Sequence, residues 1–229
     1  MTTLAVDTSS KACSCALVRG GTLLAECYLN VGLTHSATLM RLVGDTLGHA
    51  GLGPGAVDRL AVTVGPGSYT GLRIGMAAVK GMALAGDLPC VGVSTLLSLA
   101  YNLLCFEGTV CAALDARVGQ VFAALFSVRG GEVSRLTEDA AMTLEELGRI
   151  LPEGAMVCGD GTELVCRAFG EAKRLRPAPA ALRFQRASSA ALAAEGLSEV
   201  PASALTVAYH RLSQAERERA ARERQSGDQ

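Results

Sequence analysis

Two features of the chain carry residue types that could do chemistry. The first is an eleven-residue run, Gly65-Pro66-Gly67-Ser68-Tyr69-Thr70-Gly71-Leu72-Arg73-Ile74-Gly75. The second is a pair of aspartates, Asp7 and Asp115, each ending a short apolar run. A β-branched stretch, 60–64, leads into the glycine-rich run, and an apolar helical pattern, 76–84, leads out. A strand that enters a loop which opens a helix aims backbone N–H groups at one point, where an anion could sit. Gly65, Gly67 and Gly71 suit positive φ or a bare backbone, and Arg73 adds a cation one turn in. The run is neither a Walker loop nor a dinucleotide fingerprint: no Gly-Lys-Ser/Thr follows, and the glycine spacing fits neither. A second reading is that the loop shapes the entry of the helix it launches.

Other reactive side chains form no recognisable constellation. The histidines are His35, His49 and His210, and no two are close enough in sequence to form a helical ligand pair. Ser14, Ser68 and Ser94 have no nearby His and Asp that would argue for a nucleophile. The eight cysteines, Cys13, Cys15, Cys27, Cys90, Cys105, Cys111, Cys158 and Cys166, contain no Cys-x-x-Cys pair. They read as small hydrophobes kept reduced in a cytosol. The expectation is no catalytic residue and no metal site.

The elements that must position these residues alternate. In the first half, strands are expected at 4–7, 13–18, 22–29, 60–64 and 90–93, with a hairpin turn at Arg19-Gly20-Gly21. Helices are expected from the cap Thr34 to about Ala50, over 71–85, and from Ser94 or Thr95 to about Leu104. The second half restarts with strands at 110–115, 120–128, 132–136 and 155–158. Its helices follow Thr143 and Gly161, and a last core helix spans 187–194; Pro177 and Pro179 mark a loop. The end, 213–229, is polar and charge-mixed, either an exposed helix or a disordered tail. The 229 residues carry a net charge of −1 and a hydrophobic fraction of 49%. This argues against bulk electrostatic binding of nucleic acid. The core should be aliphatic and alanine-rich, and small residues favour close helix–sheet approach. The N-terminus has no signal-peptide pattern, and no stretch is long enough to span a bilayer. A cytoplasmic location without membrane contact is expected.

A faint internal repeat sets the fold class. Ala5-Val6-Asp7 followed by strand 13–18 is echoed by Ala113-Leu114-Asp115 followed by strand 120–126. Repetition of one supersecondary unit suggests a duplicated α/β fold with a cleft between halves. This resembles the actin-like, Hsp70-like ATPases (the ASKHA fold), two small lobes each with a mixed sheet flanked by helices. The lobes are expected at 1–104 and 105–200, with a C-terminal segment at 201–229. In such ATPases, Asp7 and Asp115 would hold a magnesium-bound water, and the loop residues Gly65, Gly67, Ser68, Gly71 and Arg73 would face nucleotide or anion. The alternative is that both aspartates accept hydrogen bonds within their turns. Thr8-Ser9-Ser10 stands where the ATPases usually place glycine.

The order of 4–9, 65–75, Gly92-Val93-Ser94-Thr95-Leu96, Ala113-Leu114-Asp115-Ala116-Arg117 and Tyr209-x-Arg211 is similar to that of the TsaB (YeaZ) family of bacterial tRNA threonylcarbamoyladenosine biosynthesis proteins. The resemblance is dense over 1–126 and thin beyond Gly130. It implies a scaffold subunit that heterodimerises with the related enzyme TsaD and works with the ATPase TsaE. Together they transfer threonylcarbamoyl to the adenosine beside the anticodon, and tRNA is met indirectly through the complex. TsaD carries a metal on a His-x-x-x-His pair; here Thr95 and Leu99 stand at those places. The resemblance therefore implies no cofactor of this chain's own, with ATP and magnesium as the alternative, in which the chain is a weak ATPase or hydrolase.

Two helices carry more apolar residues than one-sided burial needs. Leu39, Met40, Val43 and Leu47 in the first, and Leu72, Gly75, Met76 and Val79 in the second, are expected to form a partner-binding ridge. A ridge pairing with its counterpart on a related subunit would make a four-helix bundle, as the resemblance implies for TsaB and TsaD. The same patch could form a homodimer when the partner is absent.

Overall fold

The computed structural model describes residues 1–208; the polar tail 213–229, Tyr209, His210 and Arg211 lie outside the described residues. The first sheet joins β1 (Thr2–Asp7), β2 (Cys13–Arg19), β3 (Thr22–Leu29), β4 (Arg59–Gly65) and β5 (Cys90–Ser94) in the order β3-β2-β1-β4-β5. β1, β2 and β3 pair antiparallel, while β1, β4 and β5 run parallel. Gly20 and Gly21 both adopt positive φ, which closes the β2–β3 hairpin with the twist its strands require. β1 is buried along its whole length, so both faces of the sheet must be covered.

The two faces are covered differently because their side chains differ. Leu4, Val6, Leu17, Leu60 and Val62 point to one face, where α1 (His35–His49) and α2 (Tyr69–Gly86) pack. Ala5, Ala16 and Ala61 point to the other, against Ala187, Ala190 and Ala191 of α6 (Ala187–Ala193). Alanine on both sides lets α6 lie close to the sheet.

The second sheet holds β6 (Gly108–Arg117), β7 (Gln120–Arg129), β8 (Glu132–Arg135), β10 (Met156–Cys158) and β11 (Arg176–Pro177), ordered β11-β10-β6-β7-β8, with β9 (Ala140–Thr143) also on β7. One face packs on α3 (Thr95–Tyr101) through Leu96, Leu99 and Ala100. The other packs on α4 (Leu144–Ile150) and α5 (Thr162–Phe169) through Leu147 and Val165. α3 also touches α6, where Ser98 Oγ donates to the Arg186 carbonyl and Ser189 Oγ to Asn102 Oδ1. A short buried helix thus bridges the two sheets. The duplicated α/β architecture expected from the Asp-tipped hairpins is present. Among the described residues no helix is long and apolar enough to cross a membrane.

The structure corrects several local expectations. Thr34 occupies the N-cap position of α1, but its side chain caps nothing; the Thr38 hydroxyl instead returns to the Thr34 carbonyl at 3.2 Å. α3 stops at Tyr101, where the backbone tightens to bonds three residues back, Asn102 N–H to the Leu99 carbonyl and Leu103 N–H to that of Ala100; the Asn102 side-chain amide donates to the Leu182 and Phe184 carbonyls. β9 was not foreseen, since its short Ala-Ala-Met-Thr text has no alternation to read. Pro177 belongs to an edge strand, where the missing N–H is tolerated. Thr143 does cap α4, with Glu146 completing a capping box.

α6 follows the second sheet in sequence but takes its capping groups from the first. Its Arg186 N-cap side chain makes no cap bond. Ser14 Oγ of β2 accepts from the Ala187 N–H at 2.9 Å, and Glu26 Oε1 of β3 accepts from the Ser188 N–H at 3.1 Å and from its hydroxyl at 2.7 Å. Glu26 Oε2 takes both Arg186 Nε and Nη2. Removing this buried carboxylate leaves the Ser188 N–H without its acceptor and the Arg186 guanidinium without its counter-charge. Glu26→Ala should therefore lower unfolding free energy by about 3 kcal/mol in urea titration. Ser14→Ala should lower it by about 1 kcal/mol.

Candidate functional site

The glycine-rich loop lies against the β1–β2 turn. Ser68 N–H donates to the Ser9 carbonyl at 2.7 Å, and Thr8 Oγ1 donates to the Gly71 carbonyl at 2.7 Å. A Cβ at Gly67 would collide with the Ser9 carbonyl oxygen, and one at Gly71 with that of Thr8. These glycines are required by backbone-to-backbone apposition. The Ser68 side chain caps α2 by accepting the Gly71 N–H, and the Leu72 N–H bonds the Ser68 carbonyl. The N–H groups of Ser68, Gly71 and Leu72 are therefore engaged inside the protein, not offered to an anion. The Gly65–Pro66 peptide is cis, and Gly65 sits under the Ala208 carbonyl. Arg73 is exposed and stacks over the Tyr69 ring, 4.0 Å from its centroid.

The two aspartates serve their own turns. Asp7, 1% exposed, accepts the Ser9 N–H at 2.8 Å and the Ser9 hydroxyl at 2.7 Å through Oδ1. Among the described residues its Oδ2 has no partner at full hydrogen-bond geometry, nor have the buried Thr63 Oγ1 and His35 Nδ1, though both side chains act on the carboxyl. Burial pushes the Asp7 carboxyl above its ordinary value, against the opposing pull of Ser9, Thr63 and His35. His35 bonds the Ser10 carbonyl through Nε2 at 2.7 Å. Asp115 is exposed and accepts the Arg117 N–H at 2.7 Å. That bond holds a hairpin tip in which Arg117 and Val118 adopt positive φ.

A third aspartate, in the Gly159-Asp160-Gly161 turn and not among the candidate site residues, joins the turns. Asp160 accepts the Asp115 N–H at 2.9 Å through Oδ1 and the Ser10 hydroxyl at 2.9 Å through Oδ2. No spacing rule relates residues 10, 115 and 160; only the fold brings them together. Among the described residues no three His, Cys, Asp or Glu side chains form a group that could hold a metal ion. Thr95 and Leu99 are fully buried on α3.

The ridge residues are placed differently from the sequence expectation. Leu39, Val43, Leu47, Leu72, Gly75, Met76 and Val79 are all buried within the monomer, Val79 at 0% exposure. The reason is that the large residues on this face of the sheet need both helices' apolar stripes. Met40 alone of the eight is exposed, at 53%. The exposed positions include Ala37, Gly44 and Gly48 of α1 and Ala77, Gly81 and Leu84 of α2, flanked by the charged Arg41, Asp45 and Arg73. A Cβ at Gly44, Gly48 or Gly81 would meet nothing within 4 Å. Gly44 and Gly81 are helix-interior, each destabilising by roughly 0.5–1 kcal/mol relative to alanine, while Gly48 lies in the last turn of α1. Among the described residues no contact accounts for Gly44 or Gly81. The sequence signal was the i, i+4 spacing of small residues, 44–48 and 77–81, which counting apolar residues overlooks.

Comparison with known proteins gives consistent relatives. A family model described as "TsaD: tRNA N6-adenosine threonylcarbamoyltransferase" matches residues 30–205. The chain is 35% identical over 153 residues to the tRNA threonylcarbamoyladenosine biosynthesis protein TsaB of Bacillus subtilis, covering 67% of each chain. It is 40% identical over 124 residues to the protein of that name from Escherichia coli, and this match spans about half the relative's length, 53%. A solved structure titled "YeaZ from Pseudomonas aeruginosa" superposes with a TM-score of 0.73 at 31% identity, covering 91% of this chain and 99% of that one.

The Asp7 carboxyl gives a pH test. Its folded pKa is raised above the ordinary 3.8, so its contribution to stability is fully present below that value and is lost as pH rises through the folded pKa. An Asn at this position keeps the Oδ1 acceptor without the charge. Asp7→Asn should therefore gain on wild type as pH increases from about 4 towards neutrality. Urea titration across that range checks the sign.

Proposed function

This chain belongs to the TsaB (YeaZ) branch of the TsaD family, and on that premise we propose that it is a non-catalytic scaffold subunit for tRNA threonylcarbamoyladenosine formation. It heterodimerises with a TsaD homologue, works with the ATPase TsaE, and meets tRNA through the complex. The observation that carries this reading is the outward face of α1 and α2. Two helix-interior glycines, Gly44 and Gly81, with Gly48 in the last turn of α1 and with Ala37 and Ala77, clear a path for another helix pair to approach closely, and Met40 gives an adaptable apolar contact. The TsaD family model matches this chain across both helices, so a TsaD partner is expected to bring an equivalent pair. Two such pairs meeting about a pseudo-two-fold axis form a four-helix bundle. In the absence of partner the same face pairs two copies of this chain.

The site residues support the scaffold reading over the nucleotide one. The loop's engaged N–H groups and the internally bonded Asp7 and Asp115 are used to hold α2 and the two turns in place. Thr8 fixes the N-terminal end of α2 through Gly71, so the helix is presented in a set orientation.

Ala77→Arg or Gly81→Arg should weaken co-elution with the TsaD homologue at least about 30-fold, as loss of a central contact does. Reconstituted tRNA modification should fall with it, while circular-dichroism melting of the isolated chain stays near wild type. Val79→Arg, in the core, should unfold the chain. Gly81→Ala should stabilise the monomer by up to about 1 kcal/mol while weakening the complex. Unchanged binding by both arginine variants would remove the interface. ATP turnover by the isolated chain would favour the hydrolase reading.

A further inference from the structure

Cys15 of β2 stands directly opposite Cys27 of β3. Opposed residues of an antiparallel pair project to the same face, with Cα atoms about 4.5 or 5.5 Å apart according to the type of pair. Either separation lies within the roughly 4.4–6.8 Å that a disulfide spans. The pairing is regular here, the register shift lying further on, between Leu17 and Val18. Both thiols are free, and their environments differ. Cys15 is 0% exposed in the layer beneath α1. Cys27 is half-buried on β3, the end strand of its sheet, and can be reached from solvent.

A third thiol narrows the choice of pair. Cys13 lies two residues from Cys15 along the same strand, so their separation is about 6.7 Å, at the limit for a bridge. Its Sγ accepts the Thr38 hydroxyl of α1 at 3.8 Å, and its cross-strand neighbour is Leu29.

We propose that Cys15 and Cys27 form a reversible thiol–disulfide site closed by a hydroperoxide. The Cys27 thiolate attacks a peroxide oxygen; the O–O bond breaks, the departing hydroxide takes a proton, and Cys27 becomes a sulfenic acid. The Cys15 sulfur then attacks the Cys27 sulfur; the S–S bond forms, the S–O bond breaks, and the Cys15 proton leaves with the hydroxyl as water. With hydrogen peroxide, two thiols are oxidised to one disulfide and the peroxide is reduced to two waters. Burial pushes the Cys15 thiol up to about 12, which assigns it the resolving step and Cys27 the first. The bridge pins the edge strand to β2 beneath α1. Nothing in this inference depends on the scaffold reading.

The test treats the folded full chain with hydrogen peroxide, alkylates it in denaturant and maps peptides without reduction. The expected result is a Cys15–Cys27 linked peptide that dithiothreitol dissolves, with alkylation of both residues falling together by at least about tenfold. Exposed Cys105 serves as the unpaired comparison thiol. Cys15→Ala should stop the reaction at a Cys27 sulfenic acid that dimedone captures, and Cys27→Ser should leave Cys15 reduced. The proposal is overturned if Cys27 proceeds to sulfinic acid while Cys15 stays free. It is equally overturned if Cys15 oxidises as fast in Cys27→Ser, or if the bridge appears only after unfolding.

Discussion

Thr8 and Ser9 meet Gly67, Ser68 and Gly71 backbone against backbone, and the rest of the site depends on that apposition. A carbonyl oxygen sits where any side-chain carbon would have to go, so both glycines are fixed by steric exclusion. The bonds crossing the contact then orient two structures at once. They fix the start of α2, whose cap Ser68 is itself bonded to the turn. They also leave the turn's other residues free to serve the second sheet, where Ser10 reaches Asp160 and Asp160 reaches Asp115. A strand–loop–helix unit of this kind could aim its donors at a phosphate. Here the Ser68 N–H goes to the neighbouring turn, and those of Gly71 and Leu72 go to Ser68 itself.

Small residues act in two distinct ways. Inside, Ala5, Ala16 and Ala61 opposite the alanines of α6 let a helix lie close on the sheet, so a chain without tryptophan still fills its core. Outside, Gly44 and Gly81 weaken the helices that carry them, and a side chain there would meet none of the described residues. A destabilising residue without a local compensation is explained most economically by a contact that lies beyond the chain. This is why the outward surface, and not the buried apolar stripe, carries the proposed interface.

Much of the fold was legible because its signals are local. The Gly20-Gly21 turn, the alternation of strands and helices, the Ser94 cap and the Asp-tipped hairpin repeat each occupy a few consecutive residues. What was not legible depends on long-range placement. Glu26 gives no sign in sequence that it will cap a helix beginning at Ala187, and Ser10 none that it will meet Asp160. The ridge was assigned to Val79 and its neighbours because an apolar count shows that a helix is covered but not by what. Only the bulk of Leu4, Leu17 and Leu60 on the facing sheet shows that the sheet itself is the cover.

The central claim is that the glycine-rich loop is an internal joint, and that the working surface is the far side of the helix it launches. Amide hydrogen exchange of the whole chain, alone, with ATP and magnesium, and with the TsaD homologue, tests both halves together. The account predicts that the partner protects the amides of α1 and α2. It also predicts that nucleotide alone changes nothing in 65–75 or 115–117. Protection of those two segments by nucleotide in the isolated chain, with α1 and α2 unaffected by the partner, would contradict it.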